Sequence, residues 1–211
     1  MTTSSGYRDI ARQHLRDAII DAARDLTGAH GWDNVRMAEV ATQTGVSRQT
    51  VYNEFASKAG LAEALAQREA ERFIAGVRAH LFAAGDDVRA GAYAATLNVL
   101  RDAASDPLIK AIVTGTPSGP DALLPFLTTR AEMVLTAATA VLQEWALEHL
   151  PGVSPQDRAF AAESLVRLVV SHIVLPTAPP EQTAEHVAEF VASLIAGAAG
   201  QAGTQDVPEQ V

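Results

Sequence analysis

The sequence predicts an all-α fold, and three observations carry that prediction. Hydrophobic residues make up 48% of the chain but aromatics only 5%. Alanine is abundant, and alanine favours helix, whereas strands draw on β-branched and aromatic side chains. Apolar residues recur at spacings of three and four, the period of a helix with one buried face. Capping residues, glycines and prolines divide the chain into about nine helical stretches, with no convincing strand and no internal repeat. A chain of 211 residues suits one compact domain or a small domain joined to a larger one.

The elements follow in order. Residues 12–29 form the first helix, with Leu15, Ile19, Ala22, Ala23 and Leu26 on one stripe and Arg12, Arg16, Asp17, Asp21 and Arg24 off it. HGWDN breaks this helix, and Gly31 is its stop. A short second helix covers 37–43 and buries Met37, Val40 and Ala41. Thr44, Gly45 and Val46 make a tight turn. Ser47 caps the third helix, since its hydroxyl can accept a backbone N–H one turn in. Val51 and Phe55, four apart, point that helix inward. Ser57 caps a fourth helix that runs to residue 80, with Leu61, Ala64, Leu65, Ile74, Val77 and Leu81 on its apolar side. Beyond LFAAGDDVRAG, helices are expected over 88–104, 107–114, 121–149, 155–174 and 181–197. Pro107 opens one of them at a first-turn position. GTPSGP, Pro151-Gly152, Pro176 and TAPP separate the rest. The segment 201–211 is small and polar and is expected to be disordered.

Composition narrows the function. The absence of cysteine excludes disulfides and cysteine-based zinc sites and suits a cytoplasmic home. The opening MTTSSGYRDIARQ has no apolar signal core, and no apolar run approaches the roughly 20 residues of a membrane helix. Net charge is −9, but it is unevenly spread: residues 1–60 hold seven basic and seven acidic residues, and the remainder carries the whole excess. A protein binding DNA by charge alone would be far more basic, yet a neutral segment on an acidic body can present a basic face. Gly-rich phosphate loops, nucleophile elbows and paired catalytic carboxylates do not occur, so an enzyme is not expected. No His/Asp/Glu cluster has metal spacing, and neither a metal nor a cofactor is expected.

The stretch GVSRQTVYNEF, residues 45–55, carries the chemistry. With Val51 and Phe55 turned inward, Arg48, Gln49, Thr50, Tyr52 and Asn53 face out. A short helix, a turn with glycine and a second short helix form a helix-turn-helix, whose second helix enters the major groove. Glutamine can pair bidentately with adenine, arginine with guanine, and threonine can touch a thymine methyl. Tyr52 and Lys58 suit phosphates, and Lys58 lies in a helix first turn whose unpaired N–H groups also favour an anion. The bland reading of residues 36–58 is a packing unit with a solvated polar face, and any one of these side chains can simply be solvated.

The run DNVRMAEVATQTGVSRQTVYNEFASKAGLAEAL resembles the DNA-binding signature of TetR-type (tetracycline-repressor-like) bacterial transcription regulators. The matching pieces are Ala41 with Gly45-Val46-Ser47, Val51-Tyr52 with Phe55, and Ser57-Lys58 with Leu61. The resemblance is specific over about residues 10–65; beyond that it rests on length and helix order. It implies a homodimer that binds double-stranded DNA at a palindromic operator. Residues 1–56 would bind DNA. Residues 57–200 would bind a ligand and dimerise, with 57–80 as the linking helix. Ligand binding would release the DNA. Two departures stand out. Arg36 occupies a position where Thr or Ser often caps the second helix, and Ala59-Gly60 replace the acidic residues that often follow Ser-Lys. Glu54 lies near the DNA-facing side, where it either faces solvent or repels phosphate.

The expected DNA contacts are therefore Arg36, Ser47, Arg48, Gln49, Thr50, Tyr52, Asn53 and Lys58. Apolar candidates for a cavity in the second half are Phe73, Phe82, Tyr93, Leu97, Leu100, Ile109, Ile112, Phe126, Leu127, Met133, Trp145 and Phe160, all equally plausible as plain core. The pocket reading selects Leu97, Asn98, Arg101, Ile112, Phe126, Arg130, Met133 and Phe160. Arg130 either meets a ligand carboxylate or pairs with Glu132, Glu163 or another acid. Few polar groups line these stripes, which suggests an apolar effector such as a fatty acid or acyl derivative. Ser164, Leu168 and His172, then Val187, Val191, Leu194 and Ile195, form stripes suited to a dimer interface. The other regulatory reading is a DNA-binding protein controlled by a protein partner, without a small ligand.

Overall fold

The computed structural model describes residues 3–106, 108–109 and 124–202, with side chains described for 6–106, 108–109 and 132–197. Eight α-helices and one 3-10 turn account for nearly all of them. In chain order they are α1 (Thr3–His30), the 3-10 turn Trp32–Asn34, α2 (Met37–Thr44), α3 (Arg48–Phe55), α4 (Lys58–Phe82), α5 (Val88–Ser105), α6 (Leu124–His149), α7 (Pro155–Val174) and α8 (Pro180–Ala202). No strand occurs among the described residues. The helix expected over 107–114 and the GTPSGP loop lie outside the described residues except for 108 and 109, as does the tail from 203 onward. Helix α1 begins well before its apolar stripe. Residues 6–14 are exposed on every side, so they carry no periodicity to read.

The first three helices close around Ile19, Ala23, Val40, Val51 and Phe55. Trp32, read in the sequence only as part of a break, is 2% exposed and plugs one end of this core. Gly31 reaches φ 80 to place it, a conformation that suits glycine because it has no Cβ. Helix α4 then carries the core onward. Leu61 and Leu65 seal the first three helices, and Phe73, Val77 and Leu81 continue the same buried cluster into the second half. There α5 packs against α4, α7 and α8, while α6 packs against α4 and α7. Glu69, 2% exposed on α4, accepts from Arg24 at 2.9 Å and Arg72 at 3.2 Å. Arg24 also reaches Asp106 beyond α5 at 2.7 Å. Arg68 pairs with Asp17 and with Asp21. These ion pairs tie α1 to the helix that spans both halves.

Helix α8 corrects the sequence reading of its faces. Val187 and Val191 are buried in the chain's own core, 3% and 6% exposed, so their side chains are taken up by packing within the chain. Glu181, Glu185 and Glu189 mark a polar stripe, but the remaining apolar surface is too broad for periodicity to say which part of it turns inward. The outward residues include Phe190 and Leu194.

Candidate DNA-reading face and apolar cavity

Three local devices set the position of α3. Gly45 ends α2 with φ 68, and its N–H and that of Val46 close the turn on Ala41 and Thr42 carbonyls. Ser47 Oγ accepts the Thr50 N–H at 3.0 Å and lies 2.8 Å from Thr50 Oγ1. Val51 is wholly buried and Phe55 nearly so. Arg48, Gln49 and Asn53 are consequently exposed, with Thr50 and Tyr52 half-buried. The outward residues are paired along the helix: Arg48 donates to the Tyr52 hydroxyl at 3.3 Å, and Gln49 Nε2 donates to Asn53 Oδ1 at 2.9 Å. Such i, i+4 pairs restrict rotamers on the helix surface before any ligand arrives.

Glu54 neither faces open solvent nor confronts the DNA side as a lone charge. Its carboxylate accepts from Arg12 Nε at 3.0 Å and Arg16 at 3.2 Å, and Arg16 also donates to the Glu54 carbonyl at 2.6 Å. The Arg16 guanidinium lies over the Phe55 ring, 4.5 Å from its centroid. Burial works against the charge on Glu54, but the hydrogen bonds from Arg12 and Arg16 outweigh it and hold the carboxyl below its ordinary value. Residues 38 to 42 positions apart in sequence thus lock the reading helix to α1.

The two departures from the sequence pattern also find physical explanations. Arg36 has no acceptor to cap α2, but Glu39 accepts its backbone N–H at 3.2 Å, which supplies half of a capping box. Gly60 supplies the N–H that the Ser57 hydroxyl caps, at 3.0 Å. A Cβ built on Gly60 would lie 2.2 Å from the Phe55 carbonyl oxygen. The α3–α4 joint is tight because Ala56 adopts φ 60 and ψ −39 and the Ser57 N–H closes on the Phe55 carbonyl at 2.6 Å, a strained γ-turn. Lys58, half-buried, donates to the Asp33 carbonyl at 3.0 Å and lies over Trp32. Arg36 is exposed.

The second half contains an apolar cavity of about 80 Å³. Its described wall comes from α4 (Phe73, Val77, Leu81), α5 (Ala92, Ala95, Thr96, Val99), α6 (Val134, Ala138, Trp145 among others), α7 (Leu165, Val166, Val169, Val170, Ile173) and Val191 of α8. Of the residues selected for a pocket from sequence, none whose side chain is described lines it. Leu97 and Asn98 are half-buried, with Asn98 bonded to Asp102. Arg101 is exposed and paired with Glu181 at 2.8 Å. Met133 is 55% exposed beside Ile74 and Arg78, and Phe160 is 75% exposed. Ile112 and the side chains of Phe126 and Arg130 lie outside the described residues. Phe73 and Trp145 do line the cavity; the small residues that make room for it, Ala92, Ala95 and Ala138, gave no signal because alanine is everywhere. Among the described residues no group of His, Asp and Glu is arranged to hold a metal, and no helix is long and apolar enough to cross a membrane.

A polar helix held outward by a capped turn, joined through α4 to a larger helical half, defines a helix-turn-helix DNA-binding protein. Comparison with known proteins agrees. Residues 19–65 match the bacterial regulatory proteins of the tetR family, and residues 87–193 match a bacterial tetracyclin repressor C-terminal domain. The chain is 35% identical over 175 residues to the HTH-type transcriptional regulator AlkX of Mycobacterium tuberculosis, covering 81% of this chain and 80% of that one. The crystal structure of the TetR family repressor AlkX from a Dietzia species, implicated in biodegradation of n-alkanes, is 31% identical with a TM-score of 0.64. It aligns with 86% of this chain and 97% of its own. Bacillus subtilis FadR in complex with stearoyl-CoA shares the fold at 16% identity, with a TM-score of 0.54 over 83% of this chain and 97% of its own. The chain belongs to the TetR family of DNA-binding transcription regulators. That family comprises regulators rather than enzymes, which bind operator DNA as dimers.

Proposed function

We propose that the protein is a homodimeric repressor that binds a palindromic operator and releases it when an apolar small molecule enters the cavity. The observation that carries the DNA-reading half is the outward polar face of α3 on a helix pinned by Ser47, Val51, Phe55 and Glu54. Arg48, Gln49, Thr50 and Asn53 read base edges, while Arg36, Tyr52 and Lys58 hold phosphates; Ser47 orients the helix start. Residues 1–56 serve this task, and residues 57–200 carry the effector and the dimer contact.

The effector half rests on the cavity. A void of about 80 Å³ is far below the roughly 300–1,000 Å³ of a ligand site. An effector must therefore part α6 and α7 from α4 and α5. Helix α4 begins at the tight joint to α3, so its displacement alters the spacing of the two reading helices, which a dimer must hold about 34 Å apart. The apolar wall suits a fatty acid or acyl derivative, and the tie of the Dietzia relative to n-alkane biodegradation points to the same chemistry. A regulator answering only to a protein partner would have no use for such a void.

The dimer contact lies on the outer face of α7 and α8. Phe160, Val174, Leu175, Phe190 and Leu194 are half to three-quarters exposed there, a density of large apolar side chains that a second subunit would cover. Ser164 is exposed beside them, and Leu168, His172 and Ile195 are half-buried.

Binding to DNA from upstream of the protein's own gene, measured against random DNA, tests the reading. Tyr52→Ala is expected to weaken both equally. Gln49→Ala is expected to relax discrimination at one base pair per half-site by about 1–3 kcal/mol. Equal effects of both changes on specific and random DNA would sink this division of labour. Melting midpoints that stay put with fatty acids and acyl derivatives would count against the ligand class.

A further inference from the structure

Residues 6–14 of α1 are exposed, the large apolar Tyr7 and Ile10 among them. Helix ends with so little burial are the first to open unless something covers them. The placement of this stretch says what lies beside it. Arg16 sits over the Phe55 ring and Arg12 meets Glu54, so α1 passes the last turn of the reading helix at these residues. Further along, Arg68 of α4 pairs with Asp17 and Asp21, Arg72 pairs with Asp21, and Arg24 of α1 reaches Glu69. Helices α1 and α4 therefore run in the same sense. The turns before Arg12 extend past α3 toward the side on which Lys58 starts α4. At 1.5 Å per residue, residues 6–12 reach about 10 Å in that direction.

The charge of this stretch is the reverse of the chain's. Residues 6–16 hold Arg8, Arg12 and Arg16 against the single acid Asp9, in a chain of net charge −9. The arginines are four apart, so they share one face of the helix. Both Glu54 oxygens accept from Arg12 Nε at 3.0 Å, which engages one of the five N–H donors of a guanidinium. The Arg12 side chain stays 62% exposed, whereas that of Glu54 is 12% exposed. Glu54 thus holds the guanidinium without covering it. With Arg16 on the same carboxylate, the cluster keeps one positive charge in excess.

Resting on the reading of α3 as the DNA-reading helix, we propose that this arginine face of α1 is a second DNA contact of each subunit. Arg12, held by Glu54, meets the phosphate backbone beside the bases that α3 reads, and the turn bearing Arg8 follows that backbone outward. Phosphate is the occupant that fits, because the face is continuous with α3 and carries cations on an otherwise acidic protein. Another copy of the chain docking by the same face would set arginine against arginine. A contact of this kind adds affinity and fixes register but reads no base.

The test measures the full-length protein on DNA from upstream of its own gene and on random duplex, across a salt series, for Arg12→Gln, Arg12→Lys and Glu54→Gln. R12Q is expected to weaken both duplexes alike, about tenfold, the order of a lost charge-assisted bond. Its plot of log affinity against log salt should be shallower by about two, for one phosphate lost by each subunit of a dimer. R12K keeps the charge and should keep the parent slope. E54Q breaks the same ion pair but leaves the guanidinium, so its slope should also match the parent. Ethylation of the phosphates flanking each half-site should impair the parent and not R12Q. If R12Q and E54Q weaken binding alike at the parent slope, Arg12 acts only by placing α3 and the contact is wrong. R12Q with parent affinity and slope leaves α1 off the DNA, and if it also lowers the oligomeric state, the face covers another copy of the chain. In both cases a parent preference for upstream over random DNA leaves the reading of α3 standing. A parent with no such preference removes that reading and this proposal with it.

Discussion

Gly60→Ala is a sharp test of the joint between the reading helix and the rest of the protein. Inside a helix, alanine is favoured over glycine by roughly 1 kcal/mol, so on propensity alone the change stabilises. The geometry opposes this. The new Cβ would meet the Phe55 carbonyl oxygen at 2.2 Å, 0.8 Å short of the 3.0 Å below which real Cβ contacts essentially do not occur. The obstacle is backbone, so no side chain can rotate away. That oxygen is further held by the Ser57 N–H at 2.6 Å. Overpacking of this kind costs about 1–3 kcal/mol, and a rigid neighbour places it at the upper end. The net loss is then about 2 kcal/mol, or a melting midpoint lower by about 4–8 °C in a chain of this size. Midpoints must be compared at one protein concentration because a dimer's stability depends on it. Moving α3 by a fraction of an ångström also weakens base-edge contacts, so operator affinity is expected to fall about tenfold or more while random-DNA affinity changes little. The companion change Ala56→Gly removes a methyl and is expected to act in the opposite direction. Ala56 sits at φ 60, and relief of that strain is worth on the order of 1 kcal/mol, so A56G is expected to melt higher. A G60A variant that melts with or above the parent and binds its operator unchanged would refute the tight-joint argument.

Two further outcomes test the surrounding structure. Glu54→Gln keeps the side-chain shape but removes the charge held by Arg12 and Arg16, and is expected to cost about 1 kcal/mol at neutral pH. Because the folded carboxyl titrates below the ordinary 4.5, this stabilisation is complete above about that pH and disappears as pH falls through the lower folded value. Denaturant titrations of parent and variant should converge in acid, and a gap that widens on acidification would contradict the assignment. Ala138→Leu adds three carbons to the cavity wall. At about 24 cal/mol per Å³ of void filled, the cavity of about 80 Å³ sets an upper limit of about 2 kcal/mol of added stability. The variant is expected to melt higher, hold its operator and no longer respond to apolar effectors; retained effector response by operator-release assay would place the ligand elsewhere.

Much of the DNA-reading half is legible because its determinants are local. A capping hydroxyl meets an N–H three residues on, as Ser47 and Ser57 do, and a glycine C-cap such as Gly45 is one turn from the carbonyls it closes. Inward Val51 and Phe55 decide by spacing alone which side chains of α3 face out. The residues that hold this helix in place are another matter. Arg12 and Arg16 meet Glu54 across an interval of about forty residues, and in sequence each reads as one more surface charge. Gly60 reads as a missing helix cap, yet its need comes from a carbonyl five residues back that only the strained turn at Ala56 brings close.

In the second half the balance shifts. Helix periodicity, prolines and caps act within a turn or two, so the described segments beyond residue 88 are legible as helices, with their ends roughly placed. The same local signals leave open which side of α8 looks inward, which of many alanines leave space, and that the buried Trp145 indole N–H has no partner. Those are properties of how five helices meet. An alanine is equally at home in a tight contact or beside a void, and only the arrangement of its neighbours from distant parts of the chain decides between them.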